Sequence, residues 1–312
     1  MWKQSTAAQT DPESPLNPQR GVAGAATLVV LAAVLFGTTG TARALGPAAA
    51  SPLAVGALRV LLGGLILAAL AALRRAPLAR CWDPGVRGPT VIAALSVACY
   101  QPSFFAAVKL SGVALGTLVA IGSAPVFAGL MEIVLGERPS RTWMLATALA
   151  LGGCAALLAP GGSPVQPLGT VLALAAGASY AAFTVASRRL VLHLRSPDAA
   201  MAVVFVAGAA LLLPVLAAQD LSWLASARGV AMVAWLGVAA TAAAYWLFAR
   251  GLVRLSAATA TTLDLAEPLT ATLLGVLLLG ERPGFQALIG GALIAAGLLL
   301  LTLGPQQRTA SS

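Results

Sequence analysis

The chain has 312 residues, of which 59% are apolar and only 9% charged, with a mean hydropathy of +0.90. Soluble domains carry about 25% charged residues because their surfaces face water, so a water-soluble globule is excluded and most of the exterior must face lipid. The formal charge of +9 and the pI near 10.7 would suit nucleic acid, but the arginines sit in short gaps between apolar runs and form no single basic face, which excludes that class too.

The first twenty residues, MWKQSTAAQTDPESPLNPQR, are polar and turn-rich. They lack the apolar core of a secretory signal and read as a disordered cytoplasmic tail, 1–20. A membrane span needs about 20 mostly apolar residues to cross about 30 Å of hydrocarbon. Such runs lie at 21–41, 50–73, 88–108, 112–135 and 142–160, numbered here as spans 1 to 5. Spans 6 to 10 follow at 167–187, 199–218, 228–249, 256–279 and 284–303, and 304–312 reads as a second cytoplasmic tail. The runs are solid and long, whereas a transmembrane barrel shows alternating segments of about ten residues. The fold expected is therefore an all-α polytopic membrane protein. Cys81, Cys99 and Cys154 are widely spaced and form no CxxC or metal pattern, so neither metal nor cofactor is expected.

Positive charge fixes the expected orientation. With the N-terminus inside, the inner segments hold Lys3, Arg20, Arg74, Arg75, Arg80, Arg87, Arg138, Arg141, Arg188, Arg189, Arg195, Arg250, Arg254 and Arg308. The outer segments hold only Arg43, Lys109, Arg228 and Arg282, and Arg59 lies within span 2. This bias places both termini in the cytoplasm of a multi-pass protein of the bacterial cytoplasmic membrane.

The chain also repeats itself. Residues 107–158 and 249–301 each carry a helix-interior proline, Pro125 and Pro268, expected to kink its helix, followed by the same pentapeptide LGERP at 135–139 and 279–283. The two units, 21–160 and 167–303, hold five spans each, an odd number, so they enter the membrane in opposite senses. Arg138 and Arg141 put the first LGERP loop inside, whereas the second falls outside. Inverted repeats are an architecture of secondary transporters, with the substrate bound near the midplane between the halves.

At this point the sequence resembles the EamA branch of the drug/metabolite transporter superfamily over residues 21–303. The resemblance rests on the two proline-then-LGERP units, the first-span end LFGTTGTARAL (35–45), the second span SPLAVGALRVLLGGLILAAL (51–70) with Arg59, and the pair Glu267–Pro268. It implies ten helices, a central cavity lined by both halves, and export of amino acids, related metabolites or drugs. It does not imply one substrate.

Ionisable groups at helix centres cost about 2.5–3.5 kcal/mol each on insertion scales, so they face the bundle interior. Away from the extreme span ends there are four candidates: Arg59, Glu132, Asp264 and Glu267. Asp264 and Glu267 share a face of span 9, and Pro268 follows, leaving a kink and a free backbone acceptor. This pair suits a cation, an amino group or a proton, which either group could take up as the cavity changes its exposure. Alternatively, one of them pairs with Arg59 and holds spans 2 and 9 together. Arg59 could meet a substrate carboxylate, although a structural or gating role is the reading favoured. Glu132, one turn from the end of span 4, reads as a solvated helix end, and Glu137 and Glu281 as loop-ordering partners of arginines or backbone amides.

The cavity wall is expected from Tyr100 and Gln101 in span 3, Tyr245 and Trp246 in span 8, Tyr180 in span 6 and Phe36 at the matching place in span 1. Trp246, near a span end, equally suits an interfacial belt. Gly290, Gly291 and Gly297 read as close helix contacts. An enzyme is disfavoured: the only histidine, His193, sits in a basic loop, HExxH is absent, and Asp264 is the sole aspartate in a span. A channel is disfavoured by the inverted halves, and uptake stays open beside export. No GxxxxGK[ST] motif is present, so transport must run on an ion or solute gradient, with proton or counter-solute coupling left open and a small-molecule substrate and the lipid bilayer as partners.

Overall fold

A computed structural model of the chain describes residues 18–157, 166–280, 282 and 284–303. The sequence regions 1–17 and 304–312, and Glu281, lie outside the described residues. The first half comprises α1 (Pro18–Leu45), α2 (Pro52–Leu73), α3 (Arg87–Ser111), α4 (Val113–Val134) and α5 (Arg141–Leu157). The second half comprises α6 (Pro167–Leu194) and α7 (Pro197–Ala217), then α8 (Ala227–Gly237), which passes through a π turn (Val238–Ala243) into α9 (Ala244–Leu252) to make span 8. Span 9 is split into α10 (Ala257–Leu263) and α11 (Ala266–Leu279), and α12 (Phe285–Leu303) closes the bundle. With α8–α9 and α10–α11 each taken as one span, nine described spans are long and apolar enough to cross a membrane, and α5 is the shorter tenth.

Two sequence boundaries are corrected. Pro18–Arg20, read as tail, begin α1, and α6 runs to Leu194, so Arg188, Arg189 and His193 stand on a helix and not in a loop. Hydropathy reports the stretch inside hydrocarbon, whereas a helix continues past it once its end reaches the polar interface.

The repeats fold alike down to their punctuation. α2 and α7 both start on Ser-Pro: Ser51 Oγ accepts from Ala54 N at 3.1 Å, and Ser196 Oγ accepts from Ala199 N at 3.3 Å. The serine satisfies an orphan amide of the first turn, and the proline fills a position that needs no donor. At the other boundary, the LGERP glycines Gly136 and Gly280 take φ of +89° and +70°, a left-handed conformation that glycine adopts without strain.

Helix packing obeys the same symmetry. α2 lies on α7 and α5 on α12, each a repeat mate of the other; α6 packs on α3 and α4, while α1 packs on α9 and α11. Exchanging the two halves returns this pattern, as a two-fold axis in the membrane plane requires. Large apolar side chains such as Leu65, Leu130 and Leu277 point outward. With no hydrophobic drive between helices in lipid, close approach supplies the attraction. A Cβ on Gly153 would lie 2.6 Å from the Gly290 carbonyl oxygen, and one on Gly290 would lie 2.6 Å from that of Gly153. Gly297 meets the Ala146 carbonyl in the same way, but Gly291 is turned toward the Leu269 side chain.

Candidate functional site

Pro268 shapes the site. Its ring lacks an N–H and crowds the carbonyl of Asp264, four residues earlier. The helix accordingly breaks at Asp264–Leu265, where the Leu265 N–H bonds to Thr262 O at 3.1 Å and the Glu267 N–H to Asp264 O at 2.9 Å. The backbone acceptor expected to be free is thus taken by Glu267. Its mate Pro125 sits inside α4 without interrupting it.

The break puts the two carboxyl groups beside a central cavity that opens to solvent. Span 9 contributes Thr261, Asp264 and Glu267. The first half contributes Phe36 and Thr39 from α1, Arg59 from α2, Tyr100 from α3, and Ala120, Ile121 and Ala124 from α4, while Tyr180 and Tyr245 complete the wall from α6 and α9. A second lobe shares Arg59, Tyr100, Tyr180 and Tyr245 and reaches Gln101 and Thr241. Tyr245 packs against Phe205 at 4.3 Å and Phe36 at 4.8 Å between ring centres, so this part of the wall is a rigid aromatic cluster.

Asp264 is 3% exposed. Its Oδ2 accepts from the Tyr180 hydroxyl at 2.6 Å, whereas Oδ1 is buried with no partner among the described residues. A buried oxygen in that position costs about 1–3 kcal/mol until a donor reaches it. Glu267, half-buried, faces the same cavity.

Arg59 does not pair with either carboxylate, since no ion pair joins them among the described residues. It donates from Nε to Thr241 Oγ1 at 3.2 Å and from Nη2 to Ala240 O at 3.3 Å. Both acceptors lie in the π turn, whose extra residue frees a main-chain carbonyl. The arginine therefore ties α2 to span 8 and not to span 9.

Two other sequence expectations change. Trp246 is absent from the cavity wall: one residue beyond Tyr245 on a helix, it turns to another face, where its ring lies 3.6 Å from the Arg250 guanidinium and 5.5 Å from that of Arg74. Asp198 joins that cluster, at 3.0 Å from Arg250 and 3.5 Å from Arg74. Glu132 is no solvated end: it is 4% exposed and accepts from the Ala257 N–H at the start of α10. Gln101, 6% exposed, borders the second lobe and abuts Gly56 of α2. Glu137 pairs with Arg188 at 2.8 Å, and Arg188 also donates to Leu255 O at 2.9 Å, which gathers the first LGERP loop onto α6 and the connection before α10. These ion pairs all lie at the arginine-rich end of the bundle.

Sequence reasoning missed Thr39, Thr261, Ala120, Ile121 and Ala124. A signal for two of them was present. Ile121 stands four residues before Pro125 as Asp264 stands four before Pro268, and Ala124 directly precedes Pro125 as Glu267 precedes Pro268. Repeat mates of cavity residues should themselves line a cavity that sits on the symmetry axis.

Comparison with known proteins agrees with this architecture. The profile of the EamA-like transporter family matches residues 23–159 and 167–303, one match per half. An uncharacterized transporter of Bacillus subtilis, YwfM, is 44% identical over 288 residues, covering 91% of this chain and 96% of its own. A probable terminal-alkyne amino-acid exporter of Streptantibioticus cattleyicolor is 31% identical over 197 residues, covering 62% of this chain and 66% of its own. A solved crystal structure with 24% sequence identity shares the fold, with a TM-score of 0.77 over 89% of this chain and 96% of that one.

Proposed function

The chain belongs to the EamA-like transporter family, and from that premise we propose that it is a secondary-active exporter of amino acids, related metabolites or drugs, working by alternating access in the bacterial cytoplasmic membrane. The observation that carries the reading is the buried, unpartnered Oδ1 of Asp264 beside Glu267 in a cavity between the inverted halves. A carboxylate oxygen in that position calls for an ammonium group that donates to it or for a proton that neutralises it. Glu267 is the second acceptor. Arg59, anchored on the π turn, places a positive charge in the same cavity for a substrate carboxylate. The name of the Streptantibioticus relative supports amino acids as the substrate class.

The orientation follows from the charge bias: the arginine-rich end is cytoplasmic, and with ten crossings both termini share that side. Asp198, Arg250, Arg74 and Trp246, together with Glu137 and Arg188, would then hold the cytoplasmic ends of the helices together. Opening toward the cytoplasm would break these contacts, so coupling asks a ligand or proton at span 9 to favour one arrangement over the other.

The test is reconstitution into liposomes with a panel of amino acids and cationic drugs, with and without a pH gradient. Saturable, gradient-dependent transport is expected, falling at least about tenfold in Glu267→Gln and Asp264→Asn, in line with loss of a charged hydrogen-bond partner. If both variants keep the wild-type rate and pH dependence, neither residue carries the mechanism. Solute currents that never saturate would show a channel instead.

A further inference from the structure

The two halves line the cavity at equivalent places with opposite chemistry. Asp264 and Glu267 are carboxylates, whereas their mates Ile121 and Ala124 on α4 are apolar. Tyr180 presents a hydroxyl, whereas Phe36, at the matching place in α1, presents none. Fold symmetry thus supplies equivalent positions, and side chains make those on span 9 and α6 a polar, proton-accepting face and those on α4, with Phe36 of α1, a face without side-chain donors or acceptors. Ala120 adds a third small apolar group beside Ile121 and Ala124. A ligand that satisfies both walls has an amino group at one end and an apolar body at the other, and it can lie in only one orientation.

We propose that the α4 wall, with Ile121 at its centre, is the specificity-determining surface that sets the size of the apolar group carried by an amine substrate. This deepens the exporter reading and rests on it. Ile121 is half-buried, and its side chain is the largest of the three α4 groups on the cavity, so it is where a change in volume is felt by a ligand. Ala120 and Ala124, 1% and 2% exposed, form the floor on which it stands. An apolar pocket distinguishes one methylene by about 10–200-fold in favourable cases, because the lost contact or the overlap is not compensated by water.

The experiment compares transport of L-alanine, L-valine, L-leucine and L-phenylalanine by the full-length protein in liposomes, for wild type, Ile121→Ala, Ile121→Phe and the conservative Ile121→Val. Ile121→Ala should raise phenylalanine relative to alanine by about tenfold, and Ile121→Phe should lower it by about tenfold. Ile121→Val should shift the ratio in the same direction as Ile121→Ala but by less, with total transport kept, which, with monodisperse protein, separates specificity from misfolding. If the wild type and Glu267→Gln differ while all Ile121 variants scale every substrate alike, the α4 inference is wrong and the exporter reading stands. If the wild type carries none of the four, or Ile121→Val alone collapses transport, the proposal is overturned; in the former case the amino-acid reading falls with it.

Discussion

Replacing Gly290 by alanine tests a backbone-to-backbone contact between the repeat mates α5 and α12. The new Cβ would sit 2.6 Å from the Gly153 carbonyl oxygen and 2.6 Å from Leu157 N, while ordinary contact begins near 3.4 Å. The atoms opposite are backbone in α5, with no flexible tip to swing aside, so α12 and α5 must separate locally by about 0.8 Å. Overpacking of this kind costs about 1–3 kcal/mol. At about 2–4 °C per kcal/mol for a chain of this size, the midpoint should fall by about 2–12 °C. The assay is thermal unfolding of detergent-solubilised protein, read by the remaining monodisperse fraction. Gly152→Ala is the control, because a Cβ there meets nothing within 4 Å although it lies next to Gly153 on the same helix. The double variant Gly153→Ala with Gly290→Ala should lose less than the sum of the two, since one separation relieves both. Equal midpoints for Gly290→Ala and Gly152→Ala would refute the packing argument.

Three further outcomes follow from the sequence and the geometry. Tags fused to the two termini should both resist external protease in intact cells; digestion of either overturns the orientation. Arg59→Lys should lower the midpoint by about 2–8 °C, because one ammonium cannot span Thr241 Oγ1 and Ala240 O as the planar fork does; an unchanged midpoint would show that the tie between α2 and the π turn is dispensable. Cys81, in the short turn Leu78–Trp82 between α2 and α3, has its thiol pushed up to about 11 by burial and, secondarily, by the Asp83 carboxylate. A raised thiol holds its proton at neutral pH, so a water-soluble maleimide should leave Cys81 unlabelled at pH 7–8 and label it in detergent-denatured protein; prompt labelling of the folded protein would contradict that burial.

The membrane class, the ten apolar segments, the duplication and the inversion were all legible in the sequence, because each is a one-dimensional property. Hydropathy depends on the run itself, the charge bias on which gap holds an arginine, and the LGERP repeat on literal identity. The cavity was partly legible in the same way: Asp264 and Glu267 stood out because a carboxylate inside a span is costly wherever it points. What each polar group meets was decided only in three dimensions. Arg59 had two carboxylates to choose from by charge, yet its guanidinium bonds to span 8, where a π turn offers a carbonyl that no periodicity announces. Glu132 looked solvated by its distance from a helix end, but the first amide of α10 docks on it from 125 residues away in sequence. Trp246 and Tyr245 are adjacent in the chain and part by the rotation of one helical residue, so one joins the cavity and the other the arginine cluster. Sequence sets what must be buried; packing sets which partner each buried group finds, because that choice depends on distances between helices far apart along the chain.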